Sequence, residues 1–223
     1  MSALLRKAID VIVVRPVSRP DDDRRSVTGA RTGRGFSLLE LLLVVASLGT
    51  AAAVAVPVTT SALDSYRAAG AARYIAARFQ LARMQAVVQS ANVALRFTRT
   101  TSGVSYAVYV DGNGDGVRAR DIQDRVDRQI APDERLSEQF PGVDFGVLPG
   151  LPAVDTGATA PGSDPLRLGS SDMVSFSAMG TSSSGSVYIR GRGDSQYVIR
   201  VFGETGRTRI LKFNIRSNAW IPL

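Results

Sequence analysis

The 223-residue chain has no cysteine and no histidine. Their absence removes the usual zinc ligands and the common nucleophile–base pairs of hydrolases and transferases. It also excludes disulfides, so an exported domain would have to hold together without one. The glycine clusters are not followed by Lys-Ser/Thr in phosphate-loop register, which makes them turns and not phosphate cradles. Scattered Asp and Ser give no pairing that spacing supports, and the chain does not read as an enzyme. Charge is only mildly one-sided, 27 Lys+Arg against 20 Asp+Glu for a net +7.

What the chain does have is one long apolar run. Phe36–Val58 gives 23 mostly apolar residues, enough to cross a bilayer as a helix at ~1.5 Å per residue. Glu40 lies inside this run, where a carboxylate costs on the order of 3 kcal/mol or more unless it finds a partner. Arg31, Arg34 and Gly35 stand immediately before it. A cleaved secretory signal carries its small-residue site after the apolar stretch; here the small residue comes first. A cut after Gly35 would leave the apolar helix on the mature chain and create a positive amine on Phe36, the kind of partner Glu40 requires. An uncleaved signal anchor, with Glu40 paired inside another membrane complex, is the competing reading.

Gly35-Phe36-x-Leu38-Leu39-Glu40, with Pro57 downstream, resembles the type III signal of type IV pilins and type II secretion pseudopilins. The resemblance implies cleavage between Gly35 and Phe36 by a prepilin peptidase, N-methylation of Phe36, Glu40 as the residue setting subunit register, and a helix kink at Pro57. The domains expected are a cytoplasmic leader over 1–35, a transmembrane and assembly helix over 36–58, its amphipathic continuation over 59–91, and a β-rich domain over 92–223. The leader holds eight Lys/Arg and four Asp, so its removal lowers the net charge to +3. Positive charge before the span places that leader inside and the C-terminal domain outside the cytoplasm. An alternative start at Val27 would shorten the leader to nine residues. The lack of a disulfide, common in major pilins, points to a minor pilin or pseudopilin.

Past Pro57 the helix is expected to reach about Ser90. Leu63, Tyr66, Gly70, Tyr74, Ala77, Leu81, Met84 and Val88 recur at three- and four-residue spacing and read as its core stripe, with Arg67, Arg73, Arg78 and Arg83 elsewhere on the surface. Gly70 reads as a tolerated weak point. The period then becomes alternating: Asn92–Thr98 and Val104–Val110 form a hairpin through Arg99–Gly103. Asp111–Gln139 is polar and charged, Phe140–Val147 is a strand candidate, and Leu148–Ser171, with its four prolines, is a surface loop. Met173–Ser177, Ser186–Arg190 with Gln196–Phe202, and Thr208–Ile215 complete the strands. The fold class is α+β, a long N-terminal helix packed on a mostly antiparallel sheet.

Several segments in this order are similar to the GspH/FimT family: Leu81–Val87 with Val93-Ala94-Leu95, Phe176-x-x-x-Gly180, Gly185–Ile189, and Thr205-Gly206-Arg207-x-Arg209. The resemblance implies a minor pseudopilin of type II secretion or a minor pilin of type IV pili, anchored in the bacterial inner membrane and assembled with other pilins near a filament tip.

Two motifs remain. Asp111, Asn113 and Asp115 alternate before Gly116 like the first half of a calcium loop, with Asp121 or Asp124 as a further ligand; the twelfth position is Ile122 where that loop needs Glu. The alternative is a strand-ending turn whose glycines supply left-handed φ angles. Arg207 and Arg209 resemble the arginine-bearing turn of DNA-binding family members that act in natural transformation. Arg190, Arg192, Arg200, Lys212 and Arg216 would extend a basic strip, and a plain solvated strand face is the alternative. Arg192-Gly193-Asp194 is an ordinary hairpin tip.

Overall fold

The computed structural model describes residues 35–223. The expected leader, with Arg31, Arg34 and Val27, lies outside the described residues except for Gly35. The chain divides into two units at Ala46/Ser47. Of the first unit, residues 35–46 are described, and all are exposed.

α1 spans Leu38–Gln89, and β1 (Val93–Thr100) and β2 (Gly103–Val110) form a hairpin. The polar stretch after it carries α2 (Ala119–Gln123), β3 (Arg128–Gln129), β4 (Glu134–Arg135) and α3 (Leu136–Gln139). Then come β5 (Asp144–Phe145), β6 (Leu166–Arg167), β7 (Met173–Phe176), β8 (Gly185–Arg190), β9 (Gln196–Phe202), β10 (Arg207–Asn214) and β11 (Ala219–Pro222). Among the described residues the strands form two sheets. The first has the order β3-β2-β1-β7 with β4 also on β2; the second has β11-β10-β9-β8-β5 with β6 also on β8. Every pairing is antiparallel. The α+β expectation stands.

The end of α1 follows from its last residues. Ser90 takes a left-handed φ of 51°. Its N–H donates to the Val87 carbonyl, and the Ala91 N–H reaches back to Ala86. This paired closure satisfies carbonyls that would otherwise be orphaned and turns the chain into β1.

The core face of α1 differs from the expected stripe. Ala68, Ala71, Ala72, Ile75, Phe79, Ala82 and Ala86 are buried, whereas Tyr66, Met84 and Val88 are 75%, 57% and 78% exposed. Both sets repeat at three and four residues, so periodicity alone could not choose between them. Size decides: a face of alanines lets the helix backbone come close to the strands, and Phe79 fills the one deep space. Its ring meets Phe97 and Phe176 at 6.3 Å between centroids, and the cluster continues through Phe97, Tyr106 and Phe145. Gly70 belongs to this face, since a Cβ there would stand 3.2 Å from the Phe140 ring. It is a close-approach glycine, not a weak point.

Other differences are local. The strand expected over Phe140–Val147 shrinks to β5, and β6 and β11 were not anticipated. The proline-rich loop is partly structural: Leu151 is buried, and Val147, Leu148 and Val154 pack with it on Tyr188, Val198, Leu211 and Phe213.

Candidate functional site

Gly35, Phe36 and Glu40, expected from the sequence to form a processing and assembly signal, are all exposed. Gly35 precedes the helix and has open space where a side chain would stand. Phe36 is 79% exposed. The first helical bond runs from the Leu41 N–H to the Ser37 carbonyl at 3.0 Å, so Glu40 falls in the first turn of α1. Unpaired N–H groups there present partial positive charge to a carboxylate. That support was not foreseen from the sequence. α1 has an apolar stretch that is unburied and, by length and composition, long enough to cross a membrane. Its hydroxyls bond back to the helix: Thr50 to Ser47 O, Thr59 to Ala55 O and Ser61 to Val58 O, at 2.8–3.0 Å. Such internal bonds suit polar groups in apolar surroundings. The helix runs through Pro57, which as proline supplies no N–H to the carbonyl four residues before it.

The Asp111 loop is organised by hydrogen bonds to the Asp111 carboxylate. Asp111 Oδ1 accepts the N–H groups of Asn113 and Gly114 at 3.1 and 2.7 Å. Its Oδ2 accepts Gly116 N–H and Asn92 Nδ2 at 2.8 and 2.7 Å. Burial opposes ionisation of Asp111, but the Asn92 amide and the three N–H groups outweigh it and hold the carboxyl below its ordinary value. Asp127, which the sequence did not single out, is 2% exposed and accepts the N–H groups of Gly112 and Arg118. Asp115 pairs with Arg118 at 2.6 Å and Asp124 lies 3.7 Å from Arg120. Asp121 Oδ2 is buried without a hydrogen-bond partner. Among the described residues no three carboxylates are arranged to hold a metal ion. Gly114 and Gly116, at φ 84° and 93°, supply left-handed angles to the loop.

Arg207 and Arg209 are exposed on one face of β10, with Arg209 directly opposite Arg200. Lys212, expected in the same strip, lies on the other face, near the Tyr197 ring at 6.0 Å. Gly206 is held by packing: at φ 61°, a Cβ there would come 2.3 Å from the Gly180 carbonyl oxygen and 2.8 Å from Arg83 Nε. Arg83 Nε itself donates to that carbonyl at 2.8 Å. Arg83 thus ties α1 to two turns, where the sequence suggested a surface residue.

Arg78 is likewise not a free surface charge. It pairs with Glu134, which also accepts Tyr74 Oη at 2.6 Å, Tyr106 Oη at 2.8 Å and Gln139 Nε2 at 3.0 Å. Burial opposes the Glu134 charge, but these donors and the Arg78 guanidinium outweigh it and lower the carboxyl's pKa. Burial and the adjacent Glu134 push the Tyr106 hydroxyl up. Residues so distant in sequence leave no local signal for this cluster.

Comparison with known proteins bears on the end of α1 and most of the β-rich unit. Residues 71–205 match the family described as Type II transport protein GspH, well over half of the chain. No curated protein matches. Among solved structures, the chain is similar to the minor pseudopilin EpsH from the Type 2 Secretion System of Vibrio cholerae. That likeness has 15% identity and a TM-score of 0.40, covering 65% of this chain and 94% of the other.

Proposed function

The chain belongs to the GspH family, and from that premise we propose that it is a minor pseudopilin, a subunit of a type II secretion filament. The observation that carries this reading is Glu40 in the first turn of a helix whose apolar part is wholly unburied. Such a segment needs a non-aqueous environment, and its carboxylate needs a cation.

Cleavage after Gly35 by a prepilin peptidase would supply that cation as the amine of Phe36, retained as a charge after N-methylation. Phe36 lies two residues before the start of α1 and four before Glu40, so its amine would serve Glu40 on the same chain or a neighbour's. The chain would sit in the bacterial inner membrane with the basic leader inside and the β-rich unit outside. Moving the helix from lipid into a filament exchanges one apolar environment for another, so packing and the Glu40 pair supply specificity. A DNA-uptake role has less support, because it rests on exposed arginines of the second sheet, Arg207 and Arg209 among them.

The test is Glu40→Ala in a strain carrying the other pseudopilins. The expected outcome is normal processing, seen as a methylated Phe36 N-terminus by mass spectrometry, with loss of crosslinking to the other subunits. Undiminished crosslinking would remove Glu40 from assembly, and an uncleaved chain in the wild type would overturn the signal.

A further inference from the structure

The outer face of the second sheet is divided in two. Along the strands, Tyr188, Val198 and Leu211 make one apolar half, covered by Leu148, Leu151 and Val154. The next row across the sheet is basic. Arg167 pairs with Ser186, Ser186 with Arg200, and Arg200 with Arg209, so all four side chains share one face. Arg207, two residues before Arg209, extends the same face. Arginines directly opposite on neighbouring strands repel each other unless an anion lies between them.

The covering loop ends at this boundary. Immediately after Val154, Asp155 reaches Arg200, its Oδ2 2.7 Å from Nε. Among the described residues Arg167, Arg207 and Arg209 have no ion pair. Arg167 makes only a long contact to the Ala160 carbonyl, at 3.4 Å. A recess of about 180 Å³ opens between Arg167 and Arg200, with Thr159, Ser184 and Ser186 on its walls. It meets a wider hollow of about 620 Å³ at Ser184, bordered by Phe202, Glu204, Arg207 and Arg209.

We propose that this row is a docking site for a carboxylate-rich segment of a partner protein, with Asp155 as the internal carboxylate that such a segment displaces from Arg200. Three observations choose carboxylates over a nucleic acid. The Arg200–Asp155 contact shows a carboxylate already seated on the row. The narrower recess, between Arg167 and Arg200, has the size of a side chain. Phe202, the aromatic residue beside the arginines, has Arg200 over its ring at 5.7 Å, so that face is not free to stack a base. The site lies on the sheet face turned away from the α1 core and does not depend on the assembly reading.

The test uses the full chain in a non-ionic detergent at low ionic strength, with fluorescence anisotropy of a labelled hexaglutamate peptide. Hexaglutamine and an oligothymidylate of equal charge serve as comparisons. Hexaglutamate is expected to bind, and Arg209→Gln and Arg167→Gln to weaken it about threefold or more each. Asp155→Asn is expected to tighten it by roughly two- to fivefold, the range set by releasing one exposed ion pair. Unchanged thermal melting of each variant confirms that folding is not the cause. Binding no better than hexaglutamine, or no tightening in Asp155→Asn, overturns the proposal. Tighter binding of the oligothymidylate assigns the face to nucleic acid and overturns it equally.

Discussion

Replacing Gly206 by alanine should cost more than any conformational argument alone allows. Two glycines in the chain, Gly193 and Gly206, have the same φ of 61°. At Gly193 a Cβ would meet nothing within 4 Å, whereas at Gly206 it would stand 2.3 Å from the Gly180 carbonyl oxygen and 2.8 Å from Arg83 Nε. Gly193→Ala therefore reads the left-handed backbone cost by itself, about 1 kcal/mol. Gly206→Ala adds the displacement of the Gly180 turn or Arg83, and with it the bond between them at 2.8 Å. A hydrogen bond from a charged donor contributes about 1.5–3 kcal/mol, so the total at Gly206 is about 2.5–4 kcal/mol. For a domain of this size about 1 kcal/mol shifts Tm by roughly 2–4 °C. Thermal unfolding of the full chain in detergent, followed by Trp220 fluorescence, is expected to fall by roughly 5–15 °C for Gly206→Ala, and by roughly 2–4 °C for Gly193→Ala. The double variant Gly206→Ala/Arg83→Met should lose less than the sum of the two single ones, because both break the same tie. Equal losses at Gly193 and Gly206 would refute the close-packing explanation of the Gly206-Arg207 turn.

Two further outcomes follow from the carboxylates. The folded pKa of Glu134 is lowered, so its contribution is present above the unfolded value, about 4.3, and is lost as pH falls through the folded one. Glu134→Gln should therefore lower stability near neutrality and flatten the fall in Tm on acidification; a variant with the wild-type acid profile would contradict the network. Asp111→Ala leaves the N–H groups of Asn113, Gly114 and Gly116 without their acceptor and is expected to destabilise by about 2–4 kcal/mol. Measured by urea unfolding, a loss under about 0.5 kcal/mol would show that the loop does not rest on this side chain.

Much of the architecture was legible because periods change cleanly along the chain. The switch after Gln89 from helical to alternating pattern marks β1 and β2, and the apolar alternation in β8 to β10 marks the second sheet. The inner face of α1 was not legible, because alanines carry little hydrophobic signal beside Leu, Tyr and Met at the same spacing. Short strands such as β3, β5 and β6 are two residues long, too brief to show any period. They form because neighbouring strands offer free edges. The residues from Gly35 to Glu40 are contiguous, so their pattern is visible along the chain itself. The Glu134 cluster joins Tyr74, Tyr106 and Gln139 from four separate elements. The basic row likewise depends on cross-strand register, which aligns Arg167, Arg200 and Arg209 from three strands.

The lean inner face of α1 separates two kinds of selection. Alanines at 68, 71, 72, 82 and 86 fix how near the helix lies to the strands, and almost any enlargement there would disturb folding. Tyr66, Leu81, Met84, Val87 and Val88 lie outside that constraint. They can be exchanged wholesale without repacking the interior, so the outward surface of the helix can change while the fold stays fixed. A library randomised at those five outward positions should remain almost entirely folded, as thermal melting of its members would show.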